Sequence, residues 1–160
     1  TDAVIDAACD LSPSSFSSAA TGLVKKGAGT VTLGSTAGTF ARLTVEGGAL
    51  ALPAAAVSAL TSLSVAVEEA GSSAKVTAAG DLTLPPSCAV SVSVPSDAVA
   101  ESLSGSAVTL IAADRLLKAE RLAGWTLETS GCGKTVCRLG IRGNAVVIRF
   151  GVKGMSVILR

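Results

Sequence analysis

The stretch Leu23–Leu52 reads LVKKGAGTVTLGSTAGTFARLTVEGGALAL, and its period decides the fold class. Apolar and polar residues alternate at Gly29–Leu33 (GTVTL), Arg42–Val45 (RLTV) and Ala49–Leu52 (ALAL). A period of about two puts successive side chains on opposite faces of a strand, whereas an amphipathic helix repeats at about 3.6. Glycines at 27, 29, 47 and 48 stand between these runs. They suit corners where the backbone turns left-handed or comes close to a neighbour.

Outward from this stretch the alternation continues. It recurs at Leu63–Val67, Lys75–Thr77, Asp81–Leu84, Ala89–Val94, Ala107–Ile111, Trp125–Glu128, Arg138–Ile141, Ala145–Phe150 and Met155–Leu159. Gly47-Gly48, Pro85-Pro86 and Gly143-Asn144 punctuate the gaps. Two segments only are open to helix: Pro53–Leu60, an Ala-rich turn or a single helical turn, and Ala113–Leu122, either a short surface helix or a loop with an edge strand. Many short strands with turn signals mean a sandwich, a barrel or a solenoid.

Internal likeness selects among these. LVKKGAGTVTL (Leu23–Leu33), LTVEGGALAL (Leu43–Leu52) and VTAAGDLTL (Val76–Leu84) each read as strand, glycine corner, strand. Near-repeats at about 20 to 30 residues point to stacked coils. Over Leu23–Leu52 the chain resembles the autotransporter-associated β-strand repeat of bacterial surface proteins: leucine, a basic residue, Gly-x-Gly, alternating Thr and Leu, a Thr-rich turn, and a closing Gly-x-Leu. Val4–Ser12 looks like an earlier coil, and the terminal GMSVILR resembles the hydrophobic ending of many such proteins. The resemblance implies turns of a parallel β-helix. The expected fold is therefore all-β: a single domain over 1–160, with a right-handed parallel β-solenoid over about 1–110 and an antiparallel hairpin cap over about 125–160. A β-sandwich is the alternative.

Composition bounds the function. Of 160 residues, 49% are hydrophobic but only 2% aromatic, so the core is made of small branched side chains. There is no histidine, which removes the usual general base and metal ligand. No Ser-His or Cys-His couple can form. Charged residues are 16% and the net charge is +1, unlike the basic surplus of nucleic-acid binders. From Gly47 to Val67 there is no charge, but Pro53 and several Ser and Thr interrupt the run, which reads as two buried strands rather than a membrane span.

Cys9, Cys88, Cys132 and Cys137 are even in number and only one pair is close in sequence. A four-cysteine zinc site would need two close pairs. Disulfides in an oxidising compartment are the expectation, with Cys132 joined to Cys137 and Cys9 left to Cys88 by elimination. Together with low charge and abundant Ser, Thr, Gly and Ala, this points to an extracellular or cell-surface location.

Ser130–Thr135 (SGCGKT) imitates a phosphate loop, but Glu128 stands where the first glycine belongs and the following VCRLG is not helical. It reads better as a turn between antiparallel strands. The acids are scattered, and adjacent Glu68 and Glu69 would face opposite sides of a strand. No nucleotide, cofactor or metal is expected. Charge is polarised along the chain: Asp2, Asp6 and Asp10 have no base among residues 1–24, while Lys134, Arg138, Arg142, Arg149, Lys153 and Arg160 have no acid among 129–160. Asp2, Asp6 and Asp10 at one end, with Arg149 and Lys153 at the other, are the candidate assembly residues. The expected function is non-enzymatic: a stalk or adhesin-like segment beside flanking repeats, or a filament subunit stacking head to tail. A carbohydrate-binding domain is a further alternative.

Overall fold

The computed structural model describes residues 2–12, 20–34, 38–68 and 75–152. Along the chain the elements are β1 (Asp2–Asp6), β2 (Gly22–Lys26), β3 (Thr30–Thr32), β4 (Arg42–Val45), β5 (Ala49–Pro53), α1 (Ala54–Val57) and β6 (Ser62–Ala66). Then come β7 (Val76–Thr83), β8 (Ala89–Ser93), α2 (Asp97–Ser102), β9 (Ala107–Leu117), a 3₁₀ turn (Ala119–Gly124), β10 (Thr126–Ser130), β11 (Thr135–Arg142) and β12 (Ala145–Val152). The strands assemble into two six-stranded sheets. One has the order β1-β2-β4-β6-β8-β10 and is parallel throughout. The other has the order β11-β12-β9-β7-β5-β3 and is mixed, because β12 pairs antiparallel with both β9 and β11.

Register explains the apolar pattern. In the parallel sheet Ala3, Leu23, Leu43, Leu63, Val90 and Leu127 stand in one column on the inner face. In the mixed sheet Val31, Leu50, Val76, Ile111, Val146 and Ile141 form the corresponding ladder. The middle members of both are buried and belong to one core that runs from Ala7 to Phe150. Burial of each leucine contributes about 1.5–3 kcal/mol before chain entropy is counted. A slip of one residue would turn every such column to solvent, so the period of two enforces the register.

Two lysines, Lys25 and Lys75, are buried among the described residues, and Lys25 is the more enclosed. Lys25 stands between Ile5 and Val45 and is fully buried. Its Nζ donates to the carbonyls of Lys26 (2.5 Å), Gly27 (2.6 Å) and Gly47 (3.2 Å), so the stem packs as an apolar side chain while the ammonium is bound at the corner. Desolvation pushes its pKa below the usual lysine range, and the Asp6 carboxylate opposes that shift.

The solenoid expectation is corrected by these sheets. A uniform coil needs a constant repeat. Partners in the parallel sheet lie 20 residues apart from Gly22 to Arg42 and again from Arg42 to Ser62, then 27 from Ser62 to Ala89 and 37 from Ala89 to Thr126. The mixed sheet reverses direction at β12. The result is two open sheets, one parallel and one mixed. Of the expected hairpin cap over 125–160, residues 153–160, with the strand read at Met155–Leu159, lie outside the described residues; β11 and β12 do pair antiparallel, but as part of the mixed sheet rather than as a cap. β10 extends the parallel sheet, and β12 inserts between β9 and β11, the two-residue turn at Gly143-Asn144 joining β11 to β12. A β-sandwich, the other expectation, is built from antiparallel pairs; eight of the ten pairings here are parallel.

Local assignments divide. The uncharged run 47–67 folds as β5, α1 and β6, and no helix among the described residues is long and apolar enough to cross a membrane. Ala113–Leu122 is neither a helix nor a loop at its start: β9 runs on to Leu117 before the 3₁₀ turn. Helix α2 has no counterpart in the sequence reading. Its signal is Ser96, whose side chain accepts from the Val99 N–H, followed by Asp97 in the first turn.

Candidate functional site: the two ends of the sheets

Among the described residues each sheet ends in a strand paired on one side only at either end of the strand order. At the first end lie β1 and, beyond β3, Leu11, which bridges in parallel to Val31 through Leu11 N–H to Thr30 O and Thr32 N–H to Leu11 O, each 2.8 Å. Val4 is 60% exposed and Leu11 44%, the most exposed large apolar residues described. At the other end lie β10 and β11.

The three aspartates predicted for the first end all sit there, on and just after β1, and Asp2 and Asp10 are hydrogen-bonded. Asp2 Oδ1 accepts from Arg42 Nη2 at 2.6 Å. Asp6 faces Lys26 in register on the outer surface. Asp10 Oδ1 accepts the Thr30 N–H at 2.7 Å. Placement of the bases differs from expectation. Arg149 lies on β12, an inner strand, directly opposite Arg138 of β11. The bases at the edge itself are Arg138 and Arg142 of β11, with Lys134 in the turn before it, and all three are exposed. Lys153 lies outside the described residues. Strand order, which composition does not reveal, made the difference.

Between the edges β10 and β11 the core opens into a groove of about 400 Å³, lined by Leu122, Trp125, Leu127, Cys137, Arg138 and Leu139 among others. Trp125 closes its floor: it is 8% exposed and its indole Nε1 donates to Pro85 O at 3.0 Å. The ring is therefore fixed and offers little face for stacking on a sugar. The sequence reading did not foresee this groove, because its walls come from two different sheets.

The cysteines separate into a pair and two singletons. Cys137 Sγ donates to Cys132 Sγ at 3.5 Å, and the Thr135 N–H to Cys132 O bond of 2.7 Å closes the turn that brings them together. Burial, and then the contact with Cys132, pushes the Cys137 thiol up to about 12. Cys88 is buried and its thiol is also pushed up to about 12 by desolvation, against a backbone hydrogen bond from Leu63. The pairing of Cys9 with Cys88 is corrected. Cys9 follows β1 and Cys88 precedes β8, and β2, β4 and β6 lie between them. Four strand spacings of about 4.8 Å give on the order of 19 Å, far beyond the roughly 7 Å Cα limit for a disulfide. The same distance prevents a four-cysteine zinc site, and no three His, Cys, Asp or Glu groups converge as a metal site among the described residues.

SGCGKT occupies the end of β10 and the turn into β11. It connects the two sheets rather than two antiparallel partners, since β10 pairs with β8 and β11 with β12. The Asp97 carboxylate lies so close to Gly133 that a Cβ there would overlap it. An anion thus stands against the backbone that a phosphate would approach.

No family model matches the chain, nor does any curated protein or solved structure.

Proposed function

We propose that this chain is a non-enzymatic structural module of a secreted or cell-surface protein, a stiff double-sheet segment rather than a catalyst. The observation that carries this reading is how its acids are used. Asp2 is tied to Arg42, Asp10 to the Thr30 N–H, and Asp114 Oδ2 to the Gly80 N–H at 2.7 Å. Glu46 meets Lys26 at 3.3 Å and Asp81 meets Arg115 at 3.9 Å. These carboxylates hold corners and neighbouring strands, and none lines the groove between β10 and β11. An enzyme site needs convergent groups within hydrogen-bond reach of one reacting atom. The cysteine content, the low charge and the likeness of Leu23–Leu52 to an autotransporter-associated repeat support the location.

The test has two arms. The purified chain is assayed for glycoside, ester, peptide and nucleotide hydrolysis, and no turnover above buffer is expected. Turnover that is lost on Asp97→Asn or Lys134→Ala overturns the non-enzymatic reading. Intact producing cells are treated with a membrane-impermeant amine-labelling reagent, and labelling of the native chain is expected. A chain protected until the cells are broken overturns the surface location.

A further inference from the structure

We infer that the two ends are complementary faces of one contact between copies of this chain, with β10 and β11 of one copy receiving β1 and Leu11 of the next. This deepens the structural-module reading and rests on it.

Strand direction is the first argument. Every pairing in the parallel sheet is parallel, so β1 of a second copy can join β10 and continue the ladder with the same polarity. In the mixed sheet β11 is antiparallel to β12, and β12 is antiparallel to β9. β11 therefore runs with β9, and so with β7, β5, β3 and Leu11. Two reversals restore the direction. The parallel sheet is six strands deep and the mixed sheet, with Leu11, is seven, so the second copy tilts as well as moves along the strand order when both edges pair.

Register is the second. The parallel columns end at Thr126, Leu127 and Glu128 and begin at Asp2, Ala3 and Val4. Continued by one strand, Ala3 covers Leu127 on the inner face and Ile5 covers Thr129. In the mixed sheet Leu11 continues the ladder past Ile141. Ala3, Ile5, Leu127, Leu139 and Ile141 are only half-buried although they pack on the core, and these are the residues a second copy would cover. Backbone pairing at an exposed edge supplies the affinity, as in strand addition generally.

Charge is the third. Asp2, Asp6 and Asp10 lie at the β1 end, where Lys26 and Arg42 are the opposing bases; Lys134, Arg138 and Arg142 lie at the β11 end, where Asp97, Glu120 and Glu128 are the opposing acids. Opposite faces favour the head-to-tail contact over head-to-head or tail-to-tail contacts. A contact between unlike faces that does not close gives an open filament.

Sedimentation velocity tests this over a range of protein concentration and salt. Mass should rise with concentration at low salt, and the association should weaken at least about tenfold between roughly 50 mM and 500 mM salt. Two end-blocked variants carry the decisive arm: Leu127→Lys blocks the receiving end, and Ala3→Lys blocks the inserting end. Each alone should remain monomeric, with wild-type circular dichroism confirming the fold. Mixed, they should form a one-to-one dimer and nothing larger, because each retains one working face. A strict monomer at all concentrations, with the chain's own residues capping the ends, overturns the contact. So does self-association that survives both blocks. Either result leaves the non-enzymatic reading standing, which only the turnover assays can remove.

Discussion

Asp2 and Arg42 reach each other across an intervening strand. Their 2.6 Å contact spans β2 because the register position between them is Gly22, where a Cβ would overlap the Asp2 carboxylate. A missing side chain thus lets β1 and β4 communicate on the outer face. Both partners are substantially exposed, so the pair contributes modestly. Asp2→Asn, Arg42→Gln and Gly22→Ala should each lower stability by less than about 1 kcal/mol, and the double variant Asp2→Asn/Arg42→Gln by little more than either single one. Urea midpoints at low salt check this; fully additive single losses would show that the contact carries no coupling.

Gly48 should be far less tolerant. Its φ is +62°, and a Cβ there would run into the carbonyls of Gly29 and Ala28 in the preceding corner. Backbone lies on backbone, so no flexible side chain can yield. Gly48→Ala combines left-handed strain of roughly 1–2 kcal/mol with that overlap, and a loss well above that of Gly22→Ala is expected in the same denaturation series. Equal losses at the two positions would contradict the close stacking of these corners.

The contrast between these glycines shows what was legible in the sequence. Alternation placed β4, β5 and β6 correctly, and the glycine corners after Lys26 and Glu46 are where the text suggested. Leu23, Leu43 and Leu63 line up because the spacing is constant at 20 residues over those two steps. The extrapolation failed beyond Leu63. The spacing lengthens to 27 residues from Ser62 to Ala89, and α2 and the 3₁₀ turn lengthen the next step, without breaking the alternation, so periodicity alone still reads as a uniform coil. The same limit hid the ends. Arg138, Arg142 and Arg149 are equivalent as composition, and only the insertion of β12 between β9 and β11 decides which of them stands at an edge. The groove beside Trp125 depends on that order too.

Lys25 gives a pH-dependent prediction. Its folded-state pKa is lowered by burial, so the unfolded chain, titrating near the usual value of 10.5, holds the proton more tightly. Stability from this group is therefore lowest where the amine is charged in both states and rises with pH toward 10.5. Lys25→Met keeps the stem but removes the three hydrogen bonds to carbonyls, for a loss on the order of 2 kcal/mol at neutral pH. Wild type minus Lys25→Met, measured by urea denaturation from about pH 7 to 10.5, should widen with pH. The titrations of the buried thiols cancel in that difference. A gap that narrows would mean that the corner carbonyls and Asp6 outweigh desolvation.

Thiol chemistry provides the last test, since three environments are present in one chain. Cys9 is exposed, Cys88 is buried, and Cys132 and Cys137 touch. Glutathione disulfide should join Cys132 to Cys137: a thiolate attacks the reagent, and the second thiol displaces glutathione, so that two protons and two electrons leave the protein as the reagent becomes two glutathione molecules. Only the thiolate attacks, and the Cys137 thiol is held near 12, so closure initiated there should accelerate about tenfold per pH unit across the alkaline range. Iodoacetamide at about pH 8 should label Cys9 readily and leave Cys88 unmodified until the chain unfolds, because burial holds its thiol near 12 as well. Peptide mapping after each treatment reads the outcome. A Cys9–Cys88 peptide from native monomer would contradict the four-strand separation in the parallel sheet, and rapid native labelling of Cys88 would show that the core beside Leu63 opens to solvent.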